Sequence, residues 1–331
     1  MQYLVLKFLD DFSCLAGDCP SSCCIGWKIL VDKEAYERFK QIEPKWLQEE
    51  ILQGIEEKDG KYYFKNQKDG SCIMLQQDHL CKIQKHTKEA MLCNTCRKYP
   101  RISNRIEDIV CISMAASCPA FARRLVTEKL QWKWIDKQKI TLVSLCGINA
   151  FDSILSFQKE MEEIAIQYEK QQEKEWIIYQ CFEKMADDLL EILPYFREKD
   201  DFFQYLSALE EDRTDEECFT VYTAFCTLNQ TEWVCLKENY ISYRTAGCLM
   251  EYPKMGIQEV YIQSCAELFV IRLLVFCIFL QKKRKVRVGE WEQAIGLVYR
   301  LCVHGEKVSQ KLQEIFENFF RTPFLWSFIL L

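Results

Sequence analysis

Ten of the 19 cysteines in this 331-residue chain fall between Cys14 and Cys118, and no other feature limits its possible folds as strongly. A disulfide scaffold is disfavoured by the odd total and by the crowding into one third of the chain. The start points the same way: Met1 to Asp11 turns acidic at Asp10 and Asp11, without the basic segment and long apolar core of an export signal. The expectation is therefore a cytoplasmic protein in which such cysteine density serves metal or redox chemistry.

The spacing sharpens that expectation. Cys14, Cys19, Cys23 and Cys24 bring four thiols within eleven residues as C-x4-C-x3-C-C. Cys72 and Cys81 follow, then the pair Cys93-Asn94-Thr95-Cys96, then Cys118 before Pro119. A C-x-x-C turn can place two thiolates on one ion, and pairs from separate segments complete a tetrahedral set. Soft thiolate ligands select zinc or an iron–sulfur cluster. Spacing does not decide between the two. Cysteines farther along, such as Cys146, Cys218 and Cys248, read as small buried hydrophobes.

Charge and hydropathy exclude other classes. Residues 1–118 carry equal numbers of basic and acidic side chains, so the net charge of −6 belongs to the remainder. A pI near 5.4 argues against nucleic acid, which requires a basic face. Ala266 to Leu280 is strongly apolar, but it is short for a membrane span and contains Glu267 and Arg272. It reads as a buried core helix with a basic C-terminal end, not as a membrane span.

Local patterns predict the organisation. Asp32 is placed to cap a helix running towards Asp59, with a restart at Pro44. A β-hairpin is expected from Lys61–Asn66 and Ser71–Leu75 around Lys68-Asp69-Gly70, and a second through Ile102–Ser103 and Ile109–Ser113 with Asn104 in the turn. Pro119 suits a first helical position. Beyond residue 144 glycine and proline are scarce and the periodicity is helical. Helices are expected over 151–193, 201–210, 214–228, 258–281, 289–303 and 306–320. The predicted fold is mainly α, with a cysteine-rich metal module carrying short β-hairpins (1–125) followed by an α-helical domain (126–331).

Familiar catalytic motifs are missing. There is no radical-type C-x3-C-x2-C loop, no glycine-rich dinucleotide or methyltransferase loop, no P-loop, and no zinc-protease pair among His79, His86 and His304. The cysteine segments nevertheless resemble a known family. Cys14 through Asp32, with Cys19-Pro20-Ser21-Ser22-Cys23-Cys24-Ile25-Gly26-Trp27 at its centre, resembles the opening of the flagellin lysine-N-methylase family. Cys81-Lys82-Ile83-Gln84, Leu92-Cys93-Asn94-Thr95-Cys96-Arg97-Lys98-Tyr99-Pro100-Arg101 and Ser117-Cys118-Pro119 match its later half, which a wider group of zinc- or iron-chelating proteins shares. Weaker echoes occur at Glu238 to Arg244, at Tyr252-Pro253 and at Tyr299-Arg300 with His304.

The resemblance implies methylation of flagellin lysines with S-adenosylmethionine as methyl donor, in a protein carrying an iron–sulfur cluster, 4Fe–4S being favoured over zinc. Its ligands would come from Cys14, Cys19, Cys23, Cys24, Cys72, Cys81, Cys93, Cys96 and Cys118. A sulfonium is a cation that aromatic faces can hold, which makes Trp27, Tyr99, Tyr240 and Tyr243 candidates, with simple core packing as the alternative for each. Arg97 and Arg101 can bind a carboxylate or offset thiolate charge. A cleft between module and helical domain is the expected place for the methyl donor. No residue reads as the catalytic base. The other function class open to the sequence is a non-enzymatic protein that stores, delivers or senses zinc or iron.

Overall fold

The computed structural model describes residues 2–106, 109–135, 174–195, 199–211, 213–251, 257–304, 312 and 314–316. Its first elements are strands β1 (Gln2–Leu6) and β2 (Leu30–Val31), helices α1 (Lys33–Phe39) and α2 (Lys45–Gln53), and strands β3 (Ile55–Lys58) and β4 (Lys61–Phe64). Two short helices follow, α3 (Lys82–His86) and α4 (Asn94–Lys98), then strands β5 (Arg101–Ile106) and β6 (Ile109–Met114). Helix α5 (Pro119–Thr127) and strand β7 (Trp132–Ile135) come next. The remainder is helical: α6 (Lys174–Ile192), α7 (Lys199–Leu206), α8 (Asp215–Glu251), α9 (Ile257–Lys282) and α10 (Val288–His304). The chain is mainly α with small sheets, as its periodicity predicts. The expected helix ahead of residue 174, the one over 306–320 and Cys146 lie largely or wholly outside the described residues.

Contacts divide the chain into two units. One comprises Phe12–Ile102 with Cys118–Ala120, the other Met1–Asp11, Ser103–Ser117 and Phe121–Leu331. The first is the cysteine unit and the second the helical unit.

In the cysteine unit, Asp32 caps α1 as predicted, its Oδ1 accepting the Ala35 N–H at 3.0 Å. The helical stretch does not reach Asp59. It stops at Gln53, and residues 55–58 become β3, because Asp59 and Gly60, at φ +52° and +71°, form the left-handed pair that a tight hairpin requires. Strands β3 and β4 pair antiparallel around that turn, and β2 pairs with the other edge of β4. The hairpin thus lies one strand earlier than the sequence suggests. Ser71, Cys72 and Leu75 make isolated bridges to Ile25, Asn66 and Cys81 instead of a strand. Gly54 sits where this irregular loop packs down: a Cβ there would lie 2.6 Å from Met74 Cε and 2.9 Å from Ile73 Cγ2. The core is built from Ile29, Val31, Phe39, Leu47, Ile51, Phe64 and Ile83, together with Cys72 and Cys93.

In the helical unit the strand order is β5-β6-β1-β7, with β1 parallel to β6 and antiparallel to β7. Asn104 lies inside β5 instead of in a turn. Helix α5 begins at Pro119, as expected. Helix α8 opens with a capping box: the Thr214 hydroxyl accepts the Glu217 N–H, while the Glu217 carboxylate accepts both the N–H and the hydroxyl of Thr214. It continues through residue 228, where the predicted helix ended, to Glu251. Helix α9 has a segment, Ile262–Lys282, long and apolar enough to cross a membrane by length and composition, and 83% of it is buried inside the protein. Asn239 ties α8 to the end of α5, donating to Leu125 O and Glu128 O and accepting from Leu130 N–H.

Candidate metal centre

All nine cysteines that the sequence nominates belong to the cysteine unit, whereas Cys111, buried in β6, belongs to the helical unit. Backbone pairing brings their segments together. Cys72 N–H donates to Cys24 O at 2.7 Å, Leu75 N–H to Cys72 O at 2.9 Å, and Lys82 N–H to Met74 O at 2.8 Å. The Cys93–Cys96 turn is fastened to the same core by three bonds. Asn94 N–H donates to Asp32 Oδ2 at 2.6 Å, Thr95 Oγ1 to Leu30 O at 2.9 Å, and Arg38 to Leu92 O at 3.1 Å. Asp32 therefore holds two helix starts at once, that of α1 and that of α4. The sequence signals the first role but not the second, because Asn94 is 62 residues away.

The result is a group of five thiols, Cys24, Cys72, Cys81, Cys93 and Cys96, packed on one apolar core. They are close enough that charge on Cys24, Cys81 and Cys93 opposes ionisation of their neighbours. Main-chain N–H groups point at three of the sulfurs: Met74 at Cys72, Gln84 and Ile83 at Cys81, and Cys96 and Thr95 at Cys93. Cys81 and Cys93 stand at the N-caps of the five-residue helices α3 and α4. Such donors favour a sulfur that carries negative charge.

Burial works against that charge. It pushes the Cys72 thiol up to about 12 and raises Cys81. Within the pairs a proton is shared. The Cys23 S–H donates to Cys24, lowering Cys24 to about 7 and raising Cys23; Cys96 donates to Cys93, lowering Cys93 and raising itself. Converging thiols in a half-buried core are electrostatically unfavourable alone and favourable around a cation, which inverts the balance. Thiols are the donors that soft cations take. Among the described residues, however, no group of three or more His, Cys, Asp or Glu side chains is placed to hold a metal ion.

Of the other nominated thiols, Cys23 is tied to the five through its bond to Cys24. Cys14 and Cys19 influence Cys23. Cys14 Sγ accepts the Ala16 N–H at 3.4 Å and Cys19 donates to Ser21 O at 3.2 Å. Cys118 is half-buried next to the start of α5.

The nominated cofactor residues fall in both units. Trp27 packs against the thiol core, its indole N–H donating to Cys23 O at 2.8 Å and its ring 6.0 Å from that of Tyr99. Exposed Arg97 donates to Asn94 Oδ1 at 2.7 Å, and exposed Arg101 lies over the Phe12 ring at 5.3 Å. Tyr240 and Tyr243 are buried in the helical unit. Tyr240 O–H donates to Glu267 Oε2 at 2.8 Å; Arg244 grips both carboxylate oxygens of Glu267 at 2.7 and 2.8 Å, and Gln263 adds a bond at 3.1 Å. Four donors are what allow a carboxylate to sit inside an apolar helix. Sequence reasoning registered Glu267 only as an argument against a membrane span. A lone acid in an apolar run was the signal for this network.

No family model and no solved structure matches the chain. It is similar to the flagellar biosynthetic protein FliU of Salmonella muenchen, 27% identical over 128 residues, which are 37% of this chain and 75% of FliU. At the same identity over 128 residues it is similar to proteins named lysine-N-methylase from Salmonella typhimurium and Salmonella choleraesuis. The match spans 31% of the length of each of those two. Across that shared stretch the chain is similar to FliU and to the lysine-N-methylases, in line with the resemblance its cysteine motifs carry.

Proposed function

We propose that this chain is a cytoplasmic protein-lysine N-methyltransferase acting on flagellin, with S-adenosylmethionine as methyl donor and an iron–sulfur cluster on the thiols of the cysteine unit. The observation that carries the proposal is the similarity to proteins named lysine-N-methylase and FliU. The gathered thiols support the cluster: Cys24, Cys72, Cys81, Cys93 and Cys96 are the residues to hold it, the last four fastened through α3, α4 and the Cys72–Leu75 turn.

S-adenosylmethionine supplies an electrophilic methyl group on a sulfonium. The lysine amine, with an ordinary pKa of about 10.4, must reach it uncharged, which calls for a desolvated approach or a proton acceptor. Within the cysteine unit the ring faces of Trp27 and Tyr99 are suited to a sulfonium, and Arg97 to a carboxylate. No glycine-rich loop contributes. Transfer of labelled methyl from S-adenosylmethionine to purified flagellin lysines, by protein purified without oxygen, tests the activity. No transfer, with labelled donor and native flagellin both present, refutes it.

A second reading has one observation in its favour. N–H donors directed at the sulfurs serve a structural zinc as well as an iron–sulfur cluster. Stoichiometric zinc without methyl transfer would make the chain a metal-binding protein.

A further inference from the structure

Cys93 and Cys96 stand one helical turn apart where α4 begins, the turn closed by the Arg97 N–H donating to Cys93 O at 3.0 Å. Helical geometry puts Cα atoms three residues apart at about 5 Å, within the range of roughly 4.4–6.8 Å that disulfides span. The two thiols meet: the Cys96 S–H is directed at the Cys93 sulfur. Both residues between them are anchored, Asn94 N–H to Asp32 Oδ2 at 2.6 Å and Thr95 Oγ1 to Leu30 O at 2.9 Å. Cys23 and Cys24 are paired as well, but adjacent Cα atoms lie about 3.8 Å apart, short of the disulfide range. Exposure within the C-x-x-C pair is unequal. Cys93 is 1% exposed, whereas Cys96 is partly open to solvent.

We infer that Cys93 and Cys96 form a dithiol–disulfide site, oxidised reversibly by a low-molecular-weight disulfide of the glutathione class. The Cys96 sulfur, the more open of the two, attacks one sulfur of glutathione disulfide. A mixed disulfide forms on Cys96, and one glutathione leaves as its thiol. Cys93 then attacks the Cys96 sulfur from the core side, which closes the internal S–S bond and releases the second glutathione. The protein loses two S–H bonds, the two glutathiones gain them, and two electrons pass from the pair to the oxidant. Because the anchored turn already holds the two residues at a disulfide separation, closing the bond asks little movement of the backbone. The oxidised pair has no thiolate left for a cation, so disulfide and metal are alternative states of the same turn. Neither metal nor methyl donor takes part in the exchange, which is therefore independent of the function proposed above.

The full chain, freed of metal by a chelator under a reductant, is transferred to glutathione disulfide without oxygen, quenched in acid, alkylated and digested with trypsin. Both thiols lie in one tryptic peptide, Glu89 to Arg97. By mass that peptide should lose two hydrogens and carry no glutathione, and it should regain them in excess reduced glutathione. Cys93→Ser should instead hold glutathione on Cys96, whereas Cys96→Ser should take up about tenfold less, because the remaining thiol is buried. Should the serine variants unfold, early quenching of the unaltered chain decides the matter: the trapped mixed disulfide should sit on Cys96. A peptide that stays reduced, that keeps glutathione without closing, or that does not reopen in reduced glutathione would overturn the assignment. Equal glutathione uptake by the two folded variants, or early trapping on Cys93, would overturn it as well.

Discussion

Replacing Asp32 by alanine should loosen the thiol group from a distance. Two main-chain donors lose their acceptor, Ala35 N–H at 3.0 Å and Asn94 N–H at 2.6 Å. An N-cap contributes about 1 kcal/mol, and a partly buried N–H left without a partner costs about 1–3 kcal/mol. The expected loss is about 2–4 kcal/mol, nearer the lower figure because Thr95 and Arg38 still fasten the Cys93–Cys96 turn to the core. Hydrogen exchange read peptide by peptide isolates the cysteine unit. Protection over residues 29–39 and 93–98 should fall about 30-fold to 1,000-fold, with little change in α8 to α10. Asp32→Asn keeps an oxygen for Ala35 and should lose about 1 kcal/mol or less. Unaltered protection of 93–98 in Asp32→Ala would refute the claim that one carboxylate holds both helix starts. Equal losses in the alanine and asparagine variants would mean that its charge matters more than its geometry.

Protein purified without oxygen should be brown and contain acid-labile sulfide; a colourless protein with stoichiometric zinc would exclude the iron–sulfur reading and retain the metal unit. Serine at Cys24, Cys93 or Cys96 should lose metal and destabilise the cysteine unit, whereas serine at Cys218, buried in α8, should keep it; metal analysis of the purified variants separates the two sets. Gly54→Ala would force Met74 and Ile73 aside and should cost about 1–3 kcal/mol of overpacking, read as a lowered denaturation midpoint. The Arg284 side chain, bonded at 2.6 and 2.9 Å, holds the Glu290 carboxyl below its usual range. Its contribution to stability is therefore present above the unfolded value of about 4.3 and is lost as pH falls through the lower folded value. Denaturation at stepped pH should show Glu290→Gln losing part of the acid-side slope; an unchanged slope would show that the pair contributes nothing.

What the residues alone determined is what short-range physics governs. Cysteine density in the first 118 residues is what raises the expectation of metal chemistry there. Asp32 before a helical pattern, Pro119 at a first turn and the apolar run of α9 each act through neighbours a few positions away, and each is found where the pattern places it. The hairpin that lies one strand earlier fits the same rule: Asp59-Gly60 and Lys68-Asp69-Gly70 are both competent turn sequences, and the choice between them was made by β2, which pairs with β4 from more than 30 residues away.

The tertiary structure decided the rest. Only the folded core puts Cys24 against Cys72, Cys81, Cys93 and Cys96, turns Asp32 towards Asn94, and sets Arg244 beneath Glu267. It also pairs β1 with β6 across more than a hundred residues. Contacts of this kind close long loops, whose entropy cost no local pattern encodes, and they form because the burial of many apolar side chains offsets that cost together.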